Sequence, residues 1–278
     1  MTERLTVRKT HKLYIGGKFP RSESGRSYEI KGQDGSFLAN AVRGSRKDVR
    51  DAVVSARKAW PGWTALTAYN RGQILYRIAE IMEARRSDLI EEVARAEGDA
   101  LAATQVEEAI DLWVWYAGWT DKIAQVTGAL NPVAGPYFNL TVPEPTGVTG
   151  IVAPETPALL GLVGRLAPAL CAGNAVVVVA SERHPLVAIT LAECLATSDV
   201  PGGVVNILTG HKAELVSVLA AHLDVDAIDV TGVDDAMRTE VETAAANNVK
   251  RVLRGGEPSP YEVTAGMDFK TVWHPKGA

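Results

Sequence analysis

The chain has 278 residues, 46% of them hydrophobic and 22% charged, with a formal net charge of −4. That is enough apolar sequence for one large or two modest cores, and lysines and arginines scattered without a basic stripe exclude a nucleic-acid partner. The two cysteines, Cys171 and Cys194, sit in apolar helical patterns and the five histidines are widely spaced, so neither a disulfide nor a metal site is predicted.

Residues 1–11 are polar and basic and read as a flexible tail. They lack the apolar run of a secretory leader. The long apolar stretch from Leu159 to Val179 is interrupted by Arg165 and Gly173-Asn174, so it reads as helix plus strand rather than a membrane span. A cytoplasmic protein is expected. Lys12 to Ile15 before Gly16-Gly17 reads as a strand entering a hairpin turn, and turns with short strands follow over Gly25 to Gly35. Ser45 is placed as an N-cap before Val49, Ala52, Val53, Ala56 and Ala59 at helical spacing, with Pro61-Gly62 stopping the helix. A second helical pattern starts near Ala68, breaks near Arg86-Ser87 and ends at Gly98. A third, from about Leu101 to Ile123, puts Leu112, Trp115, Tyr116 and Trp119 on a packed stripe. Trp113 falls off that stripe and is expected to face a partner.

After the Pro/Gly loop 131–136, Tyr137 to Val142 reads as an exposed strand. Gly147 to Val152 and Asn174 to Val179 are apolar runs without alternation, the pattern of strands buried on both faces of a parallel sheet. The apolar helical segment Leu159 to Leu170 between them makes a right-handed βαβ unit. Strands at Val204–Leu208, Ala227–Val230 and Lys250–Leu253 alternate with helices near Pro185–Thr197, Ala213–Ala221 and after Thr231-Gly232. The fold class is therefore α/β, a Rossmann-like, doubly wound parallel sheet with N-terminal helices and a small β element. Ligands of such sheets bind at the carboxyl ends of the strands, here residues 153–157, 180–184, 209–211 and 231–235. The G-x-G-x-x-G fingerprint is absent, since Ala153-Pro154-Glu155-Thr156-Pro157 follows the first core strand.

Five motifs in order, Leu13-Tyr14-Ile15-Gly16-Gly17-Lys18-Phe19, Ala59-Trp60-Pro61-Gly62-Trp63, Glu144-Pro145-Thr146-Gly147-Val148-Thr149-Gly150-Ile151-Val152-Ala153-Pro154, Leu166-Ala167-Pro168-Ala169-Leu170-Cys171-Ala172-Gly173-Asn174 and Pro201-Gly202-Gly203-Val204-Val205-Asn206-Ile207-Leu208-Thr209-Gly210, resemble the aldehyde dehydrogenase superfamily in wording and spacing over residues 12–260. The resemblance implies an NAD(P)-binding Rossmann domain over 12–134 and 146–260, and oligomerisation strands over 135–145 and 261–278. The tail from Met267 to Pro275 resembles the family's C-terminal oligomerisation strand, and the family's catalytic domain, which would follow residue 260, has no counterpart. In this the chain is most like the non-catalytic second half of the two-domain, class 16 members.

The same resemblance implies lost chemistry. Aldehyde oxidation in the family needs a thiolate nucleophile, an oxyanion donor and a general base. Cys171 and Cys194 lie in the wrong segments, Thr156 replaces the oxyanion Asn, and Leu253-Arg254 stands where the general-base Glu would be, so no catalytic residue is assigned. In the ribose-binding segment Glu182 is kept, while Val179 replaces the family's Lys. Glu182, Gly210 and Gly232 remain as a degenerate cofactor half-site. Asp234 and Asp235, after Gly232, can cap the helix that would hold the pyrophosphate and would repel it. Weak or absent NAD binding is expected. Three readings follow: a partner subunit of an active aldehyde dehydrogenase (or a homo-oligomer), an NAD(P)-dependent aldehyde oxidoreductase active only in a complex, or a nucleotide-binding module.

Overall fold

A computed structural model describes residues 9–277. The tail expected over residues 1–8 lies outside the described residues. Of residues 9–11, His11 is buried, while Lys9 and Thr10 are exposed and Lys9 pairs with Glu193 at 2.6 Å. Lys12 to Ile15 forms isolated bridges, Tyr14 to Ile207 and Ile15 to Lys18, rather than a full strand. A hairpin follows, β1 (Ser27–Lys31) with β2 (Phe37–Val42).

The helices begin with α1 (Arg46–Ala65), opened by a capping box. Asp48 Oδ2 accepts from the Ser45 N–H at 2.7 Å and from the buried Ser22 hydroxyl at 2.7 Å. Pro61 does not stop this helix. A proline removes one hydrogen bond, that to the carbonyl four residues back, and the fully buried Trp63 anchors the last turn. Then come α2 (Ala68–Ala84), α3 (Arg86–Glu97), α4 (Asp99–Trp119) and α5 (Ile123–Thr127). The break between α2 and α3 is at Arg85, and Gly98 ends α3 with φ of +96°. Trp113 is a correction, since it is fully buried in the core while Trp115 is exposed. The stripe of α4 that enters the core is Ala102, Val106, Ala109, Trp113 and Tyr116, because α2, α3 and the later helix Ala158–Ala172 enclose that side.

The remainder is β3 (Ala129–Asn131), β4 (Tyr137–Pro145), β5 (Val148–Val152), α6 (Ala158–Ala172), β6 (Ala175–Val179), α7 (Pro185–Leu195), β7 (Val205–Leu208), α8 (Lys212–Ala221), β8 (Ala227–Asp229), α9 (Asp235–Asn247), β9 (Arg251–Leu253), α10 (Pro260–Ala265) and β10 (Met267–Pro275). The order of the central sheet is β7-β6-β5-β8-β9, all parallel. Alternate residues of each strand feed two cores. Ile151, Val176 and Val178 pack under α6 and α7, whereas Val152, Val177 and Val179 pack under α1 and α8 with Val49, Val53, Leu215 and Leu219. No helix among the described residues is long and apolar enough to cross a membrane.

A three-stranded antiparallel sheet, β10-β4-β3, stands apart from this body. The strand expected from Met267 to Pro275 pairs with β4 from Met267↔Pro145 to Pro275↔Tyr137, and the small sheet starts at Ala129, earlier than residue 135. The link into β10 is ordered by buried contacts. Arg165 donates to Asp229 at 2.7 Å and pairs with Glu262 on α10, Val263 and Met267 enter the core, and the Gly266 carbonyl accepts from Asn174 Nδ2 at 2.8 Å.

Candidate functional site

The chain leaves β5 to β6 and β7 on one side and returns to β8 and β9 on the other, so the topological switch lies between β5 and β8. Crevices at such a point, at the carboxyl ends of the strands, are where open α/β sheets take ligands. Here the crevice holds the chain's own side chains. Lys212, first residue of α8, is buried and reaches back over the sheet. Its Nζ donates to Ala153 O, just past β5, at 2.8 Å and to Gly232 O, just past β8, at 3.0 Å, and it pairs with the Glu155 carboxylate. Glu155 also accepts from the Ser181 hydroxyl at 2.8 Å and from the backbone N–H of Arg183 at 3.0 Å and of Glu182 at 3.3 Å. Burial pushes this carboxyl up, but Lys212, the Arg183 N–H and the Ser181 hydroxyl outweigh burial and hold it below the usual carboxylate range.

Helix N-termini present free N–H groups and a positive dipole end, the usual seats for phosphate. At each of the four that open on this edge, one backbone N–H is bonded to a side-chain oxygen of the chain itself. Glu97 Oε1 accepts from Ala158 N of α6 at 3.0 Å, and Ser181 Oγ accepts from His184 N before α7 at 2.9 Å. Glu182 Oε2 accepts from Lys212 N of α8 at 2.8 Å, and Asp234 Oδ1 accepts from Met237 N of α9 at 2.9 Å.

The three residues singled out from sequence thus fall along one edge, after β6, β7 and β8. Glu182 turns inward, and its other oxygen lies 2.6 Å from His211 Nδ1. Gly210 sits at φ +146° where a Cβ would come 2.9 Å from Gly44 N, and a Cβ on Gly232 would overlap the Ala153 carbonyl. Both glycines are therefore required by close backbone approach. Val179 is fully buried in the core. Glu155 and His211 lie in the strand-end segments 153–157 and 209–211 expected from topology, with no role read for either, and Lys212 and Glu97 fall outside those segments. Their one sequence signal is charge next to a strand end, at Glu155 after β5 and at Lys212 three residues past Thr209.

Beside this edge an open, largely apolar cleft of about 1030 Å³ is bounded by β1, the start of α4 and the Thr156-Pro157 loop. Tyr28, Leu101, Thr104, Thr156 and Leu160 line it, and neither cysteine does. Cys171 and Cys194 are fully buried, and burial pushes their thiols up to about 12 and about 11. A thiol so placed is not a nucleophile. Among the described residues no group of three or more His, Cys, Asp or Glu side chains could hold a metal.

The aldehyde dehydrogenase family model matches residues 20–274. The chain belongs to the aldehyde dehydrogenase family. It is 36% identical over 273 residues to the cytosolic 10-formyltetrahydrofolate dehydrogenase of Pongo abelii, covering 95% of this chain and 30% of that protein. It is 31% identical over 264 residues to the mitochondrial benzaldehyde dehydrogenase of Antirrhinum majus, covering 92% and 49%. Among solved structures, an NAD+ complex of an aldehyde dehydrogenase from Bacillus cereus superposes with a TM-score of 0.83 at 25% identity, over 88% of this chain and 50% of that one. HpcC from Thermus thermophilus gives 0.84 at 30% identity, over 88% and 48%. This family member thus spans from under a third to about half the length of the relatives it matches.

Proposed function

We propose that this aldehyde dehydrogenase family member is a pseudoenzyme lacking a catalytic Cys, a structural or regulatory partner subunit of an active NAD-dependent aldehyde dehydrogenase, with weak or no NAD binding of its own. The observation that carries the reading is the filled crevice. Lys212, Glu155 and Glu182 occupy the switch point, and at each of the four helix starts one N–H is bonded to the chain's own oxygens. This lining disfavours a dinucleotide, whose pyrophosphate would meet the carboxylates of Glu155, Glu182 and Asp234. The partner role is supported by the small sheet, where Leu130, Phe138, Leu140, Val142 and Val272 on one face and Tyr137, Phe269 and Trp273 on the other are all exposed. Apolar area of that kind marks an interaction surface.

The test is co-purification from the native host with light scattering and identification of what travels with the chain, beside calorimetric titration with NAD. A stable complex with an active family member and a flat titration are expected. A chain that ignores every co-expressed family member refutes the partner role. Saturable NAD or adenine-nucleotide binding, weakened by Glu182→Ala, supports instead the nucleotide-binding module at Glu182, Gly210 and Gly232.

A further inference from the structure

Thr149 is the one polar residue of β5. It is 1% exposed, and its hydroxyl has no hydrogen-bond partner among the protein's own atoms. A buried polar group in that position is costly, and buried hydroxyls are as a rule bonded to protein or to ordered water. Strand alternation puts Thr149 on the same face as Ile151, under α6. There it borders a cavity of about 10 Å³ that is also lined by Asn174, Arg165, Asp229, Glu262 and Ala169. Apolar cavities stay dry, whereas a polar one holds a water once it has about 10–15 Å³ of room and two to four partners to offer. Thr149, Asn174, Arg165 and Asp229 are all buried, so nothing here is open to bulk solvent through them.

The lining has bonding capacity left over. Asn174 Oδ1 accepts from Gly147 N at 2.8 Å, and its Nδ2 donates to Gly266 O at 2.8 Å, which uses one of two amide hydrogens. Asp229 Oδ2 accepts from Arg165 Nε at 2.7 Å, while Oδ1 accepts from Thr231 N at 2.9 Å and from the Thr231 hydroxyl at 2.5 Å. A carboxylate offers about four lone-pair sites, so Oδ2 has room for one bond more. We propose that this cavity is the binding site of one structural water, which accepts from the Thr149 hydroxyl and from the second Asn174 N–H and donates to Asp229 Oδ2. About three bonds is the usual number for a buried water. Its place gives it a role in the fold. Thr149 comes from β5, Asp229 from β8, and Asn174 from the turn between α6 and β6. Arg165 and Asn174 also hold α10, through Glu262 and the Gly266 carbonyl. The water thus joins the parallel sheet to the link that carries the chain into β10. The site is independent of the partner role proposed above, and neither needs the other.

The test uses the full chain. A high-resolution crystal structure of the wild type should show one density peak at roughly 2.7–3.2 Å from Thr149 Oγ1, Asn174 Nδ2 and Asp229 Oδ2. Thr149→Ser, which keeps the hydroxyl, should keep that peak. Thr149→Val keeps the shape and removes the hydroxyl, and the two readings of the cavity give it opposite signs. With a water bonded there, the change takes away one of its partners, so the urea midpoint should fall, with the unfolding constant rising about tenfold. Hydrogen exchange at the Gly266 amide, which donates to Val263 O at the end of α10, should speed up as the joint loosens. With a dry cavity, the same change removes an orphaned hydroxyl and leaves stability unchanged or higher. A wild-type map without the peak, or a Thr149→Val midpoint at or above that of the wild type, overturns the site. If Thr149→Val fails to fold, the wild-type map decides.

Discussion

Replacing Lys212 by Met keeps the methylene stem and removes the ammonium, which tests whether the crevice is held shut by charge. The Lys212 side chain is 11% exposed, and that of Glu155 30% exposed. The change strips a donor from Ala153 O and Gly232 O and leaves Glu155 without its counter-charge. Breaking a fully buried pair costs about 3–5 kcal/mol, and each hydrogen bond from a charged donor contributes about 1.5–3 kcal/mol. Glu155 keeps Ser181 and the Arg183 N–H and is partly wetted, so discounting for solvent screening gives a loss of about 3 kcal/mol. In a chain of this size that lowers Tm by roughly 6–10 °C. Urea unfolding at neutral pH, with an unchanged m-value, measures the difference directly. The acid limb should move as well. A carboxyl held below its ordinary pKa adds stability above the unfolded value, lost as pH falls through the folded pKa. Without Lys212 that contribution goes, and Lys212→Met should lose stability from a higher pH than the wild type. A loss below about 1 kcal/mol, within the scatter of ordinary surface changes, would refute the view that Lys212 closes the crevice.

Burial, with Lys9 and Arg95 acting against Glu193, lowers the His11 imidazole from 6.5 to about 4. Its folded pKa is below its unfolded one, so its contribution is full above 6.5 and declines by up to about 1.4 kcal/mol per pH unit toward 4. His11→Gln should flatten that decline in denaturant titrations across the window, and a slope identical to wild type would contradict the assignment. Cys171 and Cys194 should both stay unreactive toward a thiol-disulfide reagent in the native protein and both react on unfolding. A rapid native reaction would reopen the case for a local nucleophile.

Much of the body is written locally in the chain. The unalternated valines of β5 and β6, the helix between them, Ser45 as an N-cap and the glycines ending α3 and α6 are each set by neighbours in sequence, and each stands where its pattern puts it. Pro61 and Trp113 misled because tertiary packing decided them. One buried tryptophan holds a turn past the proline, and a helix enclosed by three others buries an arc wider than one stripe. The candidate site was half legible. Glu182, Gly210 and Gly232 are found at strand ends by topology, but what they contact is not local. Glu97 reaches the start of α6, and Lys212 meets Glu155, across gaps of more than fifty residues, and in sequence each looks like a surface charge.

The order in which this chain can fold follows from the link through α10. Strand β4 is made early, yet its long partner β10 is made only after the whole parallel sheet, and α10 docks through Arg165 and Asp229, which come from α6 and β8. A chain emerging from the ribosome therefore carries β4 and the three-residue β3 unsupported until synthesis reaches β10. The surface proposed above for association is therefore completed last, so that association waits on completion of the sheet.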